Sequence, residues 1–98
     1  MIEVQYSSRA LNDVERLSHF LLESAAADGP ATAEMLFEAI DLLANSPEIG
    51  RRGRAGNREL VISRGSTGYL ALYRFLPDAN RVLILTIRHQ REAGYKSR

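Results

Sequence analysis

The hydrophobic positions follow a period of two at the start of the chain and a period of three to four soon after it. Apolar and polar residues alternate over residues 2–6, which predicts a short strand with one buried face. The next apolar residues are spaced three or four apart, as on one face of an amphipathic helix. They are Leu11, Val14, Leu17, Leu21 and Ala25. Ser7 or Ser8 is expected to cap this helix at its start.

A second helix is predicted directly after a turn. The sequence Asp28-Gly29-Pro30 permits a left-handed turn and then blocks the preceding hydrogen-bond ladder, so it is expected to end the first helix. A second apolar stripe follows, made of Ala33, Leu36, Phe37, Ile40, Leu43 and Ala44. Asn45-Ser46-Pro47 is expected to end it. Two amphipathic helices joined by a short turn predict an antiparallel helical hairpin.

The second half of the chain returns to strand patterns after a basic loop. Residues 48–57, EIGRRGRAGN, contain three glycines, but no Gly-Lys-Ser/Thr ending follows, so the segment is interpreted as a basic connector and not as a nucleotide-binding loop. Three strands are predicted over residues 59–63, 69–76 and 82–89. Turns at residues 66–68 and 77–80 separate them.

The order β-α-α-β-β-β predicts an α+β fold in one domain over residues 1–98, with the helical hairpin packed on a small, mostly antiparallel twisted sheet. The last strand lacks polar alternation, so we expect it inside the sheet with both faces covered. One of its faces is predicted to carry Leu83, Leu85, Ile87 and His89, and the other Ile84, Thr86 and Arg88. Tyr69, Tyr73 and Phe75 share a face of the preceding strand and are expected in the core, not on a base-stacking platform.

The amino-acid composition limits which kinds of site the chain can form. The 98 residues include no cysteine and only two histidines, so we expect no disulfide, no metal site and no cofactor. No segment approaches the ~20 apolar residues that span a bilayer, and the N-terminus does not resemble a secretory signal. We therefore expect a cytoplasmic protein with no membrane partner.

The net charge of +1 conceals a strong asymmetry along the chain. Residues 1–50 carry about −7 and residues 51–98 about +8. This asymmetry favours a basic face that binds a polyanion or an acidic partner. The alternative is that the second half simply uses arginine on its solvated strand faces.

Two groups of polar residues are candidate sites. The reference pKa of histidine, near 6.5, makes His89 at the end of the last strand suited to proton transfer. Arg88 and Arg91 are suited to binding phosphate oxygens, and Tyr95 to stacking on a base. The alternative is a solvated strand end with no chemistry. The second group is suited to binding nucleic acid or an acidic target, and consists of Arg51, Arg52, Arg54, Arg58 and Arg64.

Three stretches, SPEIGRRG, RELVISRGSTGYLALYRF and LILTIRHQREAGY, together resemble the RelE/ParE superfamily, the toxins of bacterial type II toxin–antitoxin modules. The resemblance covers residues 2–95. It implies a small cytoplasmic toxin that a cognate antitoxin neutralises, and it is compatible with a toxin dimer or a toxin–antitoxin hetero-oligomer. It also implies one of two activities: ParE-like members bind and poison DNA gyrase, whereas RelE-like members are ribosome-dependent endoribonucleases that cut mRNA.

The site residues favour the ParE-like branch. A RelE-like nuclease carries an arginine after the Gly-Tyr pair and lysines on the strand before it, but here those positions hold Leu70, Val61 and Ser63. The ending Ile87-Arg88-His89-Gln90-Arg91 is similar to the ParE-type pattern, in which His, a variable residue and Arg close the last strand. On that interpretation the strand end, together with the arginine loop, is a recognition surface for gyrase.

The RelE-like alternative keeps two matching positions, His89 and Tyr95. It would make this chain an enzyme that acts on ribosome-bound mRNA. The resemblance then implies that His89 exchanges the proton of the attacking 2′-hydroxyl, that Arg88 or Arg91 stabilises the developing charge, and that Tyr95 holds the base.

Overall fold

The computed structural model describes residues 1–24, 29–64 and 67–90 of the chain, and within them two helices pack on a single five-stranded sheet. The helices are α1 (Ser8–Ser24) and α2 (Gly29–Asp41). The strands are β1 (Glu3–Tyr6), β2 (Arg51–Arg52), β3 (Arg58–Arg64), β4 (Thr67–Leu76) and β5 (Arg81–His89). Short 3-10 turns lie at Leu42–Ala44, Arg54–Gly56 and Pro77–Ala79. The strand order is β1-β5-β4-β3-β2, with β1 parallel to β5 and every other pair antiparallel, which confirms the predicted α+β fold.

The sheet has one more strand than the sequence predicts. Arg51 and Arg52 pair with Glu59 and Arg58, inside the segment interpreted as a connector. Two residues are too few to show alternation, so this strand has no hydrophobic signal. The predicted turn at residues 66–68 is also partly wrong, because Thr67 and Gly68 already belong to β4; Ser66 lies outside the described residues.

The core lies between the two helices and one face of the sheet. It contains Ala10, Val14 and Leu17 from α1, Leu36 and Ile40 from α2, and Leu60, Ile62, Tyr69, Ala71, Tyr73, Val82, Ile84 and Ile87 from the sheet. Tyr69 and Tyr73 are fully buried, so they are core residues, as predicted. Leu11 was expected on the buried stripe but is 50% exposed, because the stripe centres on Ala10, about 100° away around the helix. Three further predictions concern parts of the chain that lie outside the described residues. These parts are the side chain of Leu21, residue Ala25 and the predicted helix end at Asp28.

A β-bulge in β5 changes which of its side chains are buried. Leu72 pairs with Thr86, but the next residue of β4, Tyr73, pairs with Ile84, so Leu85 is an extra residue without a partner. An extra residue reverses the facing of everything beyond it. Val82 and Ile84 are therefore buried before the bulge, and Ile87 and His89 after it.

This bulge corrects two predictions for β5. The expected faces were wrong before the bulge, since Ile84 shares the buried face with Ile87 and His89, whereas Leu83 and Leu85 do not; the predicted separation of Ile87 and His89 from Arg88 is confirmed. The expectation that both faces are covered was wrong as well. Although β5 is flanked by β1 and β4, the helices cover only one side, and Leu83, Leu85 and Arg88 are partly exposed on the other.

Candidate functional site

His89 is a buried residue of the helix-covered face. Its side chain is only 4% exposed, and its ring packs edge-on against the ring of Tyr69, with centroids 5.1 Å apart and planes at 88°. The two residues are cross-strand partners, and Ile62 continues the same row on β3. The sequence prediction that His89 ends an apolar face is thus confirmed, and the rigid strand holds the imidazole inside the core.

Arg88 lies on the opposite, outer face of the sheet. Its cross-strand partner is Leu70, and the partner of Leu70 on β3 is Val61, which is 43% exposed. The cross-strand neighbours of Arg88 in this row are therefore apolar, and among the described residues the row contains no second cation. We call this row of Val61, Leu70 and Arg88 the outer row.

A polar cluster that the sequence analysis missed joins α1 to the bulge of β5. The carboxylate of Asp13 accepts hydrogen bonds from the Thr86 hydroxyl at 2.8 Å and from the Ile87 N–H at 2.9 Å. Arg16 donates to Asp13 at 3.1 Å and to the Ile87 carbonyl at 3.3 Å. An available signal was the position of Asp13, three residues after Ala10 and one before Val14, on the buried side of the helix.

The environment of Asp13 favours its ionised form. Burial alone would raise the pKa of this carboxyl group, but the donors on Ile87, Thr86 and Arg16 outweigh that effect. The pKa of Asp13 therefore lies below its ordinary value. At neutral pH the cluster is a charged clamp between helix and strand.

Beyond the end of β1, Ser7 and side chains of α1 form hydrogen bonds with the backbone of β5. β1 pairs with β5 only as far as Tyr6 opposite Ile84. The Ser7 N–H then donates to the Ile84 carbonyl, and the Ser7 hydroxyl donates to the Leu85 carbonyl while accepting the Ala10 N–H as the cap of α1. Farther along β5, Asp13 accepts the Ile87 N–H and Arg16 donates to the Ile87 carbonyl. The last part of β5 is thus bonded to a helix on this side and not to a strand.

The basic loop before β3 is held from beneath by Tyr73. The buried Tyr73 hydroxyl donates to the Pro47 carbonyl at 2.8 Å and accepts the Gly50 N–H at 2.9 Å. Burial raises the pKa of this tyrosine, so the hydroxyl keeps its proton. Arg58 adds two bonds, to the carbonyls of Glu48 at 3.1 Å and Gly50 at 2.9 Å. The segment interpreted as a connector therefore has a defined structure.

The far side of the loop is held by Arg74 of β4. Its guanidinium donates to the Asn57 side-chain oxygen at 3.0 Å and to the Ala55 carbonyl at 2.7 Å. Ala55 and Gly56 both adopt positive φ, 56° and 79°, which turns the chain sharply above this arginine. An exposed arginine between apolar strand residues, as in YRF, was the sequence signal for such a support.

The predicted binding arginines have different environments. Arg51 pairs with Glu59 at 2.8 Å, and Arg58 donates to backbone carbonyls. The exposed Arg52 and Arg54 have no hydrogen-bond or ion-pair partner in the described part of the chain. Arg64 is the last residue of β3, and its side chain lies outside the described residues, as do Arg91 and Tyr95 entirely.

A cavity of about 280 Å³ opens on this loop. Its lining residues are Arg52, Gly53, Gly56, Asn57 and Arg58. No group of histidine, cysteine, aspartate and glutamate suited to a metal ion occurs among the described residues. None of the described helices is long and apolar enough to cross a membrane.

Comparison with known proteins gives one consistent result. Residues 4–94 match the family model described as "ParE toxin of type II toxin-antitoxin system, parDE". Toxin RelE3 of Caulobacter vibrioides is 35% identical over 92 residues, covering 94% of this chain and 98% of that protein.

Two solved structures share the fold. A chain of the chromosomal ParDE toxin–antitoxin system from P. aeruginosa has a TM-score of 0.71 at 18% identity, covering 91% of this chain and 96% of that one. The intact E. coli RelBE toxin–antitoxin complex contains a chain with a TM-score of 0.64 at 18% identity, covering 90% and 95%. At this identity the structural likeness establishes the architecture, which the two named systems have in common.

Proposed function

Since the chain belongs to the ParE toxin family of type II toxin–antitoxin systems, we propose that it arrests growth in the cytoplasm by binding and inhibiting DNA gyrase. In this proposal the toxin is a binding protein and not an enzyme. Arg88 belongs to the surface that contacts the target, together with Arg91. His89 maintains the strand that carries Arg88.

The outer row is the observation that carries this proposal. A nuclease that cleaves a phosphodiester must stabilise charge on the reacting phosphate with several cations or donors. In the outer row the neighbours of Arg88 are Leu70 and Val61. An arginine whose cross-strand neighbours are apolar is better suited to recognition of a protein surface, in which a single arginine is often a strong anchor.

The environment of His89 supports the same proposal. A general acid or base must come within hydrogen-bond reach of the proton that it transfers. His89 is 4% exposed and lies on the face opposite Arg88, against Tyr69. Because adjacent strand residues point to opposite faces, the two side chains do not converge on one substrate atom.

Cleavage of ribosome-bound mRNA is the second candidate function. Toxin RelE3, a 35% identical relative, bears the name of the RelE branch, and Arg88 is available on the outer face for a phosphate group. In that case Arg88, with Arg91 and Tyr95, would act on the RNA, and His89 would have to become accessible.

We also propose that a cognate antitoxin protein binds and neutralises this toxin, as in the ParDE and RelBE systems named above. The partly exposed apolar residues of the outer face, including Val61 and Leu70, offer area that such a partner can bury.

The deciding experiment measures DNA and protein synthesis by pulse labelling in the first minutes after the toxin is expressed without antitoxin. Gyrase inhibition predicts an early fall in DNA synthesis while protein synthesis continues. An early collapse of protein synthesis, with new mRNA 5′ ends, would instead favour cleavage and contradict the proposal.

A purified system provides the direct test. The toxin is added to gyrase and relaxed plasmid, and supercoiling is followed. Arg88→Ala is expected to weaken inhibition about tenfold or more, the loss typical of an interface anchor. Arg9→Ala is the matched control, because Arg9 is an exposed arginine on α1, far along the chain from the outer row. Equal inhibition by both variants would contradict the role given to Arg88.

A further inference from the structure

Two arginines, one in the basic loop and one at the start of the strand that follows it, lie directly opposite each other. Arg52 of β2 and Arg58 of β3 are cross-strand partners, and such partners have Cβ atoms about 5 Å apart. Like charges in this arrangement repel and destabilise a strand pair. The neighbouring pair, Arg51 and Glu59, has opposite charges and forms an ion pair at 2.8 Å. One of the two adjacent pairs is thus balanced and the other is not.

No carboxylate compensates Arg52 or Arg58 in the described part of the chain. Within the described part of the chain Arg58 donates to the carbonyl oxygens of Glu48 and Gly50 and to no carboxylate, so its charge is oriented but not neutralised. Glu59, the nearest acid in sequence, is already bonded to Arg51. An anion between the two guanidinium groups would replace the repulsion with two attractions.

The cavity of about 280 Å³ lies at this pair. Its lining is completed by Gly53, Gly56 and Asn57, so among the described residues no aromatic or aliphatic side chain contributes to it. Pockets for drug-sized molecules occupy about 300–1,000 Å³ and are mostly apolar, which this cavity does not resemble. Its size and polarity suit a site that binds one small charged group, while the rest of any larger ligand stays outside the cavity.

The walls of this cavity are held in place before any ligand binds. Arg58 is fixed by its bonds to the loop carbonyls, and Arg74 fixes the opposite side through Asn57 and Ala55. Tyr73 anchors the start of the loop. Because Arg58 and the loop backbone are already ordered, binding loses conformational entropy mainly at the exposed Arg52.

We propose that this cavity, between Arg52 and Arg58, is a binding site for a phosphate group. A carboxylate has two oxygens, which a single guanidinium can occupy through its paired N–H donors. A phosphate group offers more acceptor oxygens and more charge, so it can engage both arginines at once. The group can belong to a nucleic-acid backbone or to a free or terminal phosphate, since both present the same chemistry.

This site is separate from the proposed target surface. Arg58 pairs with Tyr73 and the outer row contains Leu70, so the two lie three residues apart along β4, about 10 Å. The phosphate site therefore does not depend on whether gyrase is the target, and it can be tested on the isolated toxin.

The test titrates the full-length toxin with inorganic phosphate at constant ionic strength and follows backbone amide signals by NMR. We expect saturable shifts of Gly53, Gly56 and Asn57. Arg52→Gln is the informative variant, because the Arg52 side chain makes no hydrogen bond or ion pair in the described chain that the substitution would break. It is expected to weaken phosphate binding at least about tenfold, whereas Arg9→Gln, which removes the same charge elsewhere, leaves it unchanged.

A second readout separates a binding site from general charge effects. Without phosphate, Arg52→Gln should unfold at a slightly higher temperature than the wild type, since the repulsion with Arg58 is gone. Phosphate should raise the unfolding temperature of the wild type and not of the variant, because a ligand stabilises only the state that binds it.

Two further ligands identify the source of the phosphate. A short DNA duplex with 5′-hydroxyl ends that shifts the same amides indicates a backbone phosphate, and its salt dependence should fall by about one unit of slope in Arg52→Gln. Binding of inorganic phosphate without binding of that duplex indicates a free or terminal phosphate. Equal shifts by a glutamate-rich peptide, or an equal loss in Arg9→Gln, would overturn the proposal, as would the absence of saturable shifts.

Discussion

Arg88 and His89 are consecutive residues of β5, and their side chains lie on opposite faces of the sheet, one in the outer row and one against Tyr69 in the core. The bulge at Leu85 produces this arrangement, because without the extra residue Arg88 would face the helices and His89 the outer side. Two residues that the sequence places in one motif therefore have separate physical roles.

Alanine at these two positions should give opposite results. His89→Ala removes a buried ring and is expected to reduce the free energy of unfolding by about 1–3 kcal/mol. Arg88→Ala, on the partly exposed face, should change it by less than about 0.5 kcal/mol while weakening growth arrest. Urea unfolding and a plate assay of growth measure the two effects. A stable His89→Ala protein without toxicity would contradict the structural role of His89.

Loss of the charge on Asp13 should loosen α1 from β5. Asp13→Asn replaces a charged acceptor of three partners with a neutral amide, and we expect a loss of about 1–3 kcal/mol in the free energy of unfolding. Glu15→Gln is the control, because Glu15 is an exposed acid on the same helix. Urea unfolding compares the two, and similar losses would show that general helix charge, not the clamp, is responsible.

The same carboxyl group gives the toxin a predictable sensitivity to acid. The pKa of Asp13 is lower in the folded protein than its ordinary value of 3.8, so its contribution to stability is fully present above that value. The contribution is lost as the pH falls through the depressed pKa of the folded state. Unfolding measured from about pH 6 down to about pH 3 should therefore show the gap between wild type and Asp13→Asn narrowing with acidity. A gap that stays constant would contradict this assignment.

Removal of two buried tyrosine hydroxyls should have unequal effects. Tyr73→Phe leaves the Gly50 N–H and the Pro47 carbonyl without their partner, and we expect a loss of about 1–3 kcal/mol. Tyr6→Phe removes a buried hydroxyl with no protein hydrogen-bond partner in the described chain, so it should be neutral or stabilising. Thermal unfolding of both variants is the measurement. The reverse order of stability would exclude Tyr73 as the anchor of the basic loop.

Two glycines of this loop differ in the space around them. A methyl group at Gly50 would lie 2.6 Å from the Tyr73 hydroxyl and 2.8 Å from the Glu59 carbonyl oxygen, so Gly50→Ala must displace the loop or the strand. We expect it to lose about 1–3 kcal/mol, the usual range for overpacking. At Gly53 the nearest atom would be 3.5 Å away, and Gly53→Ala should be close to neutral in unfolding experiments. Equal losses would show that Gly50 is not tightly enclosed.

The sequence predicts those parts of the fold that hydrophobic period determines. The helical spacing of apolar residues extends from Ala33 to Ile40, and the strand alternation extends from Tyr69 to Tyr73. Helix α2 and strand β4 were therefore predicted correctly. It does not predict Leu85 as a bulge, because one inserted residue leaves both halves of the strand equally apolar. Nor does it predict β2, whose two arginines are placed by pairing with β3 and not by burial.

The candidate site was predictable in composition but not in arrangement. The sequence identified Arg52, Arg58 and Arg88 as candidates, since residue type alone suggests anion binding. It could not indicate that Arg58 also supports the loop, or that Arg52 stands opposite it, because both facts depend on the register of β2 against β3. Asp13 was missed because an acid in a helix is ordinarily solvated.

The side chains that bond to β5 beyond the end of β1 also determine where another strand can be added to the sheet. Backbone groups at an unpaired strand edge invite pairing with another chain, which leads to complexes or to aggregation. On β5, Ser7, Asp13 and Arg16 occupy these groups, so an incoming strand would have to displace α1. On β3, β2 covers only Arg58 and Glu59, and in the described chain the stretch from Leu60 onward has a strand neighbour on one side only. The edge of β5 beyond the end of β1 is thus protected against strand addition, whereas in the described chain the edge of β3 beyond Glu59 is open to it.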